Sequence, residues 1–197
     1  METPKFNNKP NNRIQLKYTT EHGTQHLDYW ISRSVAVVGV IFAFKNDATV
    51  NVLITKRSKN MRDEGNKYCV PCGYIDWQET GYDAMVREVY EETSLYLPEY
   101  KDYIHFNNNS KPFTVHDNPD SDSRQNVSLI YVNIYDFNKS MDKYPYNIID
   151  YRNKETAEVI WMTLNEFYDK YEQEYKWAFK HNETIREAMK FYNYYGT

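Results

Sequence analysis

The sequence predicts an α/β (α+β) fold in which helices cover a core built mainly of β-strands. Apolar runs of strand length alternate along the chain with amphipathic segments of helical period, and no segment repeats at a solenoid period. The chain has 197 residues, enough for one domain to bury a core without disulfides or a structural metal. We expect a single domain at residues 13–197, preceded by a mobile tail at 1–12 that is rich in Asn, Lys and Pro.

The first half of the chain carries the clearest strand patterns. Residues 13–30 have a mixed pattern that indicates a short strand pair. The run SVAVVGVIFAF, residues 34–44, is apolar throughout, which predicts a central strand buried on both faces. Residues 50–55 predict a second strand, and the basic pair Lys56 and Arg57 follows it directly.

A broken strand and a helix are predicted next. The stretch YCVPCGYID indicates a third strand that is interrupted at Pro71 and Gly73. In ETGYDAMVREVYEETSL, Thr80 is a candidate N-cap and Asp83 stands three residues later, as in a capping box. The glutamates are expected on the side opposite the apolar face of the helix, which consists of Met85, Val86, Val89 and Tyr90.

In the second half of the chain, predicted strands again alternate with predicted helices. Strands are predicted within 103–108 and 127–137, separated by the polar loop DNPDSDSRQN. Residues 157–168 predict a strand that runs into a helix, and 182–195 predict a final amphipathic helix that begins near Asn182 or Thr184.

Composition and charge exclude several classes of function. The formal net charge is −4, so no broad basic surface is available for a phosphate backbone, and nucleic acid is not expected as a partner. The longest apolar run, Val35 to Phe44, is too short to span a bilayer, which takes about 20 residues. The N-terminus has no secretory signal pattern, so we expect a soluble, cytoplasmic protein that does not contact a membrane.

The two cysteines, Cys69 and Cys72, form the motif CVPC. A zinc site needs four ligands, and no second pair of Cys or His lies at a suitable spacing. A redox CxxC motif normally opens a helix, whereas this one falls at the end of a predicted strand. We therefore expect neither sulfur to bind a metal.

The predicted helix carries three closely spaced carboxylates in the segment REVYEE. Glu88, Glu91 and Glu92 lie three and four residues apart, and like charges at this spacing cost about 0.2 to 0.5 kcal/mol per pair. A solvated face would normally interleave lysines, but only Arg87 stands beside them. A hard divalent cation such as Mg²⁺ or Mn²⁺ removes the repulsion, and such ions commonly bind substrate phosphates as well.

The surrounding spacing is similar to a known family signature. Gly73, Glu79 and REVYEETSL resemble the Nudix box, G-x5-E-x7-R-E-U-x-E-E-x-G-U, in which U is aliphatic. The departure is Ser94, which stands where the family has glycine. That glycine ends the helix and is expected in a left-handed conformation, so serine should cost about 1 kcal/mol of stability without loss of activity. The segments VIWMTLNEF and WAFKHNETIREAM also resemble Nudix proteins.

The resemblance implies an α/β/α sandwich with a mixed sheet and a catalytic loop-helix-loop, and hydrolysis of a pyrophosphate bond with Mg²⁺ or Mn²⁺. The implied metal ligands are Glu88, Glu91, Glu92 and the backbone carbonyl of Cys72. Arg87 is expected to orient the acidic residues, and Glu79 to support them.

The resemblance leaves the general base open. In some family members it is the middle glutamate of the box, here Glu91, and in others it lies on a later loop. Glu155 and Glu158 both lie upstream of Trp161, where the family often places such a residue. We favour Glu155 as the base or as an additional ligand.

The substrate is expected to be a small nucleotide. Pro119, Asp122 and Arg124 partly match a loop of the ADP-ribose group of the family, which favours a nucleoside diphosphate derivative similar to ADP-ribose. NDP-sugars, dinucleotides and nucleoside triphosphates stay open. Candidate substrate contacts are Lys56, Arg57 and Arg124 for the diphosphate, and Tyr74 or Phe113 for a base.

A protein of this fold that senses a nucleotide without cleaving it is the main alternative. Such relatives usually carry a DNA-binding domain or a damaged box, whereas here the box glutamates are all present and few residues follow the last predicted helix. These features favour an enzyme. Family members of the ADP-ribose group commonly form dimers, and residues before Ser34 are candidates for such a contact.

Overall fold

The computed structural model describes residues 13–30, 34–44, 49–117, 126–137, 155–171, 173 and 176–195. The predicted tail at 1–12 lies outside this part of the chain. The described elements are strands β1 Arg13–Thr20, β2 Gly23–Trp30, β3 Val35–Phe44, β4 Val50–Arg57, β5 Tyr68–Cys69, β6 Cys72–Tyr74, β7 Ile104–Phe106, β8 Thr114–His116, β9 Val127–Asp136 and β10 Thr156–Thr163, and helices α1 Gly81–Thr93, α2 Leu164–Tyr171 and α3 His181–Tyr195.

The main sheet has the order β10-β4-β3-β9-β7, with β5 paired to β4, β6 to β3 and β8 to β9. Strand β3 pairs in parallel with β9 and antiparallel with β4 and β6, so the sheet is mixed, as expected. Residues 36–43 of β3 are buried, which confirms the predicted central strand. Strands β1 and β2 pair with each other in a separate two-stranded sheet, which confirms the predicted strand pair.

Two apolar layers flank the main sheet. On one face, Met85 and Val89 of α1 pack against Val37, Ile41 and Leu53. On the other face, the buried residues of α2 and α3 pack against alternate residues of the same strands, and this second cluster includes Phe42, Ile54, Phe167 and Ile185. The fold is therefore the expected α/β/α sandwich. Among the described helices, none has the length and apolarity needed to span a membrane.

Two details of the strands differ from the sequence prediction. The interrupted strand breaks at Val70 and Pro71 only, while Gly73 lies inside β6 and pairs with Val37. Strand β8 is absent from the sequence prediction, and its pairing with β9 defines it.

The ends of α1 agree with the prediction. The Thr80 hydroxyl oxygen accepts the N–H of Asp83 at 3.2 Å and donates to the Asp83 carboxylate at 2.7 Å. At the other end Ser94 has φ 60° and ψ 9°, a left-handed conformation, and its N–H donates to the Tyr90 carbonyl. The backbone thus has the conformation that glycine adopts without a Cβ penalty.

We expect Ser94→Gly to raise the free energy of unfolding by about 0.5 to 1 kcal/mol, because the left-handed conformation penalises any residue with a Cβ. Chemical denaturation of the metal-free protein measures the difference. Ser94→Ala is the matched control, since it removes the hydroxyl and keeps the Cβ. A gain in Ser94→Ala equal to that of Ser94→Gly would contradict the backbone explanation.

Candidate active site

The site begins where β6 meets α1. A Cβ built on Gly73 would lie 2.1 Å from Cδ and Oε1 of Glu88, far inside van der Waals contact. Glycine is therefore required here because the Glu88 carboxylate rests directly on the strand backbone. This contact joins the first residue of the box to the first glutamate of REVYEE, although 15 positions separate them in the sequence.

The Arg87 guanidinium donates hydrogen bonds to several oxygen atoms of the site. Its Nε and Nη2 donate to the two oxygens of Glu79 at 3.1 and 2.7 Å, a bidentate arrangement. Its Nη1 donates to Glu88 at 2.7 Å and to Glu91 at 3.0 Å, and Nη2 also reaches the carbonyl of Tyr74 at 2.9 Å. These contacts fix the Glu88 carboxylate against β6, and the hydrogen bonds to Arg87 lower the pKa of Glu79.

Glu92 lies inside the protein, so the expectation that all box glutamates face away from the apolar side is wrong. Its exposed fraction is 5%, and its carboxylate accepts the hydroxyl of Thr55 at 3.4 Å and the N–H of Cys72. Burial and then the charge of Glu88 raise the pKa of Glu92 well above its ordinary value. Met85, Val89 and Glu92 stand four and three residues apart, which places them on one helical face.

Glu155, which directly precedes β10, adds a third carboxylate near Glu88 and Glu92. It is close enough to repel both other carboxylates, and its charge contributes to the raised pKa of Glu88 and of Glu92. For Glu88 the largest cause of the raised pKa is burial. Glu155 is exposed, and its backbone carbonyl accepts the N–H of Ser58 at 2.6 Å. Glu158 is also exposed and lies opposite Lys56 in the pairing of β10 with β4.

The acidic residues fit a hard divalent cation by their chemistry. Glu88, Glu92 and Glu155 offer carboxylate oxygens only, and a bound cation would reverse the repulsion that raises the pKa of Glu88 and of Glu92. Glu91 lies at the rim, with a side chain that is 48% exposed and directed to Arg87. In the described residues no three His, Cys, Asp or Glu side chains already converge as ligands on one point. The carboxylates would have to turn toward the ion.

Arg57 lies beside this cluster. It is only 9% exposed, and its positive charge lowers the pKa of Glu92 and of Cys69. Thr55 and Arg57 share one face of β4 because side chains alternate along a strand. Lys56 points to the other face, where its ammonium lies 5.7 Å from the ring centroid of Tyr68. The structure therefore brings Arg57, but not Lys56, to the carboxylates.

The remaining predicted substrate contacts are spread out. Tyr74 is 40% exposed next to Gly73, and its hydroxyl accepts the amide of Asn126 at 3.3 Å. Phe113 packs against the apolar cluster on the side of α2 and α3, so the structure does not place it with the carboxylates. Arg124 lies outside the described residues. The base-stacking roles of Tyr74 and Phe113 stay predictions.

Neither cysteine forms a disulfide. Cys69 is buried, and burial raises the pKa of its thiol to about 12. Burial also raises the pKa of Cys72 well above its ordinary value. Both thiols are thus disfavoured as thiolates at neutral pH and are poor nucleophiles. That neither sulfur binds a metal stays a prediction.

Sequence reasoning missed two neighbours of the cluster. Thr55 donates to Glu92 from β4, and only its alternation with Arg57 along the strand could have indicated it. Phe179 places its ring under the Arg57 guanidinium, 5.0 Å from ring centroid to Cζ. No local pattern signals this contact, because 122 positions separate the two residues.

We expect Arg87→Lys to reduce turnover about tenfold, because an ammonium cannot bind Glu79 through two hydrogen bonds and still reach Glu88. The free energy of unfolding should fall by about 1 kcal/mol, allowing for solvent screening of a side chain that is 26% exposed. Steady-state kinetics and chemical denaturation measure the two effects. Arg186→Lys on α3 is the control, and an Arg87→Lys enzyme as active as the control would contradict the positioning role.

The family model of the NUDIX domain matches residues 32–187. A comparison with curated proteins finds no match.

Solved structures show the same fold at low identity. The NUDIX domain of Shewanella oneidensis NrtR, solved with ADP ribose, has a TM-score of 0.60 and 20% identity over 82% of this chain and 89% of that one. A Francisella tularensis bifunctional NMN adenylyltransferase/ADP ribose pyrophosphatase, solved with AMP and Mn ion, has a TM-score of 0.56 and 20% identity over 81% of this chain but 42% of that one. Shewanella oneidensis NrtR with a 27mer DNA has a TM-score of 0.53 and 20% identity over 79% of this chain and 60% of that one.

The family match covers well over half of the chain, and the mixed sheet between two helical layers agrees with it. The chain belongs to the Nudix family.

Proposed function

We propose that the protein is a metal-dependent hydrolase that cleaves the pyrophosphate bond of a nucleoside diphosphate linked to another group, with an ADP-ribose-like compound as the best candidate. The observation that carries this proposal is that Glu88, held against Gly73 by Arg87, lies near buried Glu92 and exposed Glu155, close enough for their charges to repel. A merely structural cluster would not gain from keeping three carboxylates close enough to repel one another.

The metal would be Mg²⁺ or Mn²⁺, held by Glu88, Glu92 and the Cys72 carbonyl, with Glu91 as a ligand or as a partner through water. When bound, it would neutralise the diphosphate and acidify a water molecule for attack on phosphorus. Neighbouring groups of the protein hold these carboxylates in position. Arg87 fixes Glu88 against Gly73, and the Thr55 hydroxyl and Cys72 N–H hold the Glu92 carboxylate.

Glu155 is proposed as the general base. Among the three clustered carboxylates it is the exposed one, so water and substrate can reach it without displacing packed side chains. Its charge also contributes to the raised pKa of Glu88 and of Glu92, which supports a role for Glu155 near the proposed ion site. A base has to lie within hydrogen-bond reach of the water that it deprotonates.

The substrate proposal draws support from two sources. The partial match at Pro119, Asp122 and Arg124 favours the ADP-ribose group of the family. Of two proteins that share the fold, one was solved with ADP ribose bound and the other is named as an ADP ribose pyrophosphatase. Exposed Tyr74 next to Gly73 is the proposed stacking partner for the base.

A substrate panel tests the proposal. The purified protein is offered ADP-ribose, an NDP-sugar, a dinucleoside polyphosphate, a reduced dinucleotide and a nucleoside triphosphate, each with Mg²⁺, Mn²⁺ or EDTA. We expect metal-dependent release of a mononucleotide, fastest from ADP-ribose. Equal, slow turnover of every compound with and without metal would contradict the proposal.

The alternative is a nucleotide-sensing protein that does not cleave its ligand. The likeness to NrtR, which was solved both with ADP ribose and with a 27mer DNA, is the observation that favours it. Calorimetry with ADP-ribose, together with the panel above, separates the two functions. Tight binding without turnover would favour the sensor.

A further inference from the structure

The segment that leads into α3 is strained. Phe179 and Lys180 have φ values of 53° and 57°, so two consecutive residues with side chains adopt the left-handed conformation. Each such residue costs about 1 kcal/mol or more, and a bulky side chain rarely adopts this conformation. Strain of this kind persists only where surrounding contacts hold it. The contacts of the Phe179 ring show what holds it here.

The Phe179 ring lies between two side chains from different parts of the chain. The Arg57 guanidinium lies over the ring, 5.0 Å from its centroid, in cation–π geometry. The His181 ring lies 5.6 Å away at an angle of 60°. His181 is itself anchored, because it is buried and its Nδ1 accepts the N–H of Val70 at 3.3 Å. The ring therefore connects the start of α3 to the end of β4.

The same contact determines where Arg57 can be. Its Nε donates to the carbonyl of Asp63 at 3.4 Å, and the side chain is 9% exposed, whereas Phe179 is 40% exposed. The ring, rather than the guanidinium, meets solvent at this point. Without the ring, a flexible Arg side chain would gain access to water and lose its fixed position, from which its charge acts on Glu92.

We propose that Phe179 is a positioning residue, whose ring holds the Arg57 guanidinium at the carboxylate cluster so that its positive charge attracts the diphosphate of the substrate. This inference rests on the proposed function. A diphosphate brought to Glu88, Glu92 and Glu155 adds negative charge to a site that is already negative, and Arg57 is a fixed cation that offsets it. The proposed role thus acts on substrate affinity more than on the chemical step.

The test compares Phe179→Leu with Phe179→Tyr. Leu keeps the backbone strain and much of the apolar volume but removes the ring, while Tyr keeps the ring. We expect Phe179→Leu to raise KM for ADP-ribose about three- to tenfold with little change in kcat. Phe179→Tyr should restore most of the affinity. Tyr168→Leu, which removes an exposed aromatic ring from α2, is the matched control and should leave KM unchanged.

A double-mutant cycle with Arg57→Gln shows whether Phe179 acts through Arg57. In the Arg57→Gln background, Phe179→Leu should raise KM no further. A Phe179→Leu enzyme with wild-type KM, or one whose effect adds in full to that of Arg57→Gln, would overturn the inference.

Calorimetry of ADP-ribose binding to the metal-free protein gives a readout that does not depend on turnover, and Phe179→Leu should weaken this binding by the same factor. If the wild type neither binds nor cleaves any compound of the panel, the proposed function fails and this inference fails with it. If the wild type binds and cleaves ADP-ribose and Phe179→Leu behaves like it, only this inference is overturned.

Discussion

Glu92→Gln is expected to lower turnover by at least about 100-fold while leaving the metal-free protein as stable as the wild type or more stable. Gln has the shape of Glu and can still accept the Cys72 N–H, but it cannot supply a charged ligand. Loss of a residue that only supports a ligand typically costs 10- to 100-fold, so loss of the ligand itself should reach the upper end or exceed it.

The effect on stability has the opposite sign because Glu92 is buried beside Glu88. Its pKa in the folded protein lies above the ordinary value of 4.5, so its ionisation opposes folding at neutral pH. The advantage of Glu92→Gln over the wild type should therefore be fully present above the raised pKa. It should shrink as the pH falls through that pKa and disappear near pH 4.5.

Urea denaturation of both proteins between pH 8 and pH 4.5, without metal, measures this difference. Mn²⁺ should then raise the melting temperature of the wild type and not that of Glu92→Gln, since only the wild type has the charged ligand. Glu99→Gln, at an exposed position outside the site, is the control for removing one negative charge. A Glu92→Gln enzyme with turnover near that of Glu99→Gln would contradict the ligand assignment.

The sequence predicted the helix of the site well because its signals are local. The Thr80 cap, the left-handed Ser94 and the apolar positions of α1 all follow from residues within a few positions of one another. The burial of Glu92 was missed although its spacing from Met85 and Val89 indicated it. The charge of Glu92 favoured the polar face of the helix, whereas its spacing from Met85 and Val89 puts it on the buried face.

Contacts between distant segments could not be predicted in this way. The pairing of Arg57 with Phe179 and the contact between Thr55 and Glu92 depend on how β4 packs against α3 and α1. Strand alternation alone would have separated Lys56 from Arg57, since neighbouring residues of a strand point to opposite faces. The sequence could therefore indicate which residues carry charge, but not which of them the fold brings to the cluster.

Gly73→Ala is expected to reduce turnover by at least about 100-fold and the free energy of unfolding by about 1 to 3 kcal/mol, the usual cost of overpacking. The new Cβ would lie 2.1 Å from the Glu88 carboxylate, and its three nearest atoms all belong to that side chain. Glu88 would have to leave β6, and its hydrogen bond to Arg87 would break or bend. The φ of Gly73 lies outside the left-handed region, so the backbone itself accepts alanine.

A double-mutant cycle with Glu88→Ala separates this contact from a general effect on the sheet. In the Glu88→Ala background the carboxylate is absent, so Gly73→Ala should no longer reduce the free energy of unfolding. Gly39→Ala is the matched control: its Cβ would meet Met85 and Val89 of the same helix at 3.1 Å, so some stability should be lost with little change in turnover. Gly73→Ala could instead destabilise the Glu88→Ala protein as much as the wild type. The glycine would then be required by the strand itself, and the contact between Gly73 and Glu88 would not explain why the box has glycine at this position.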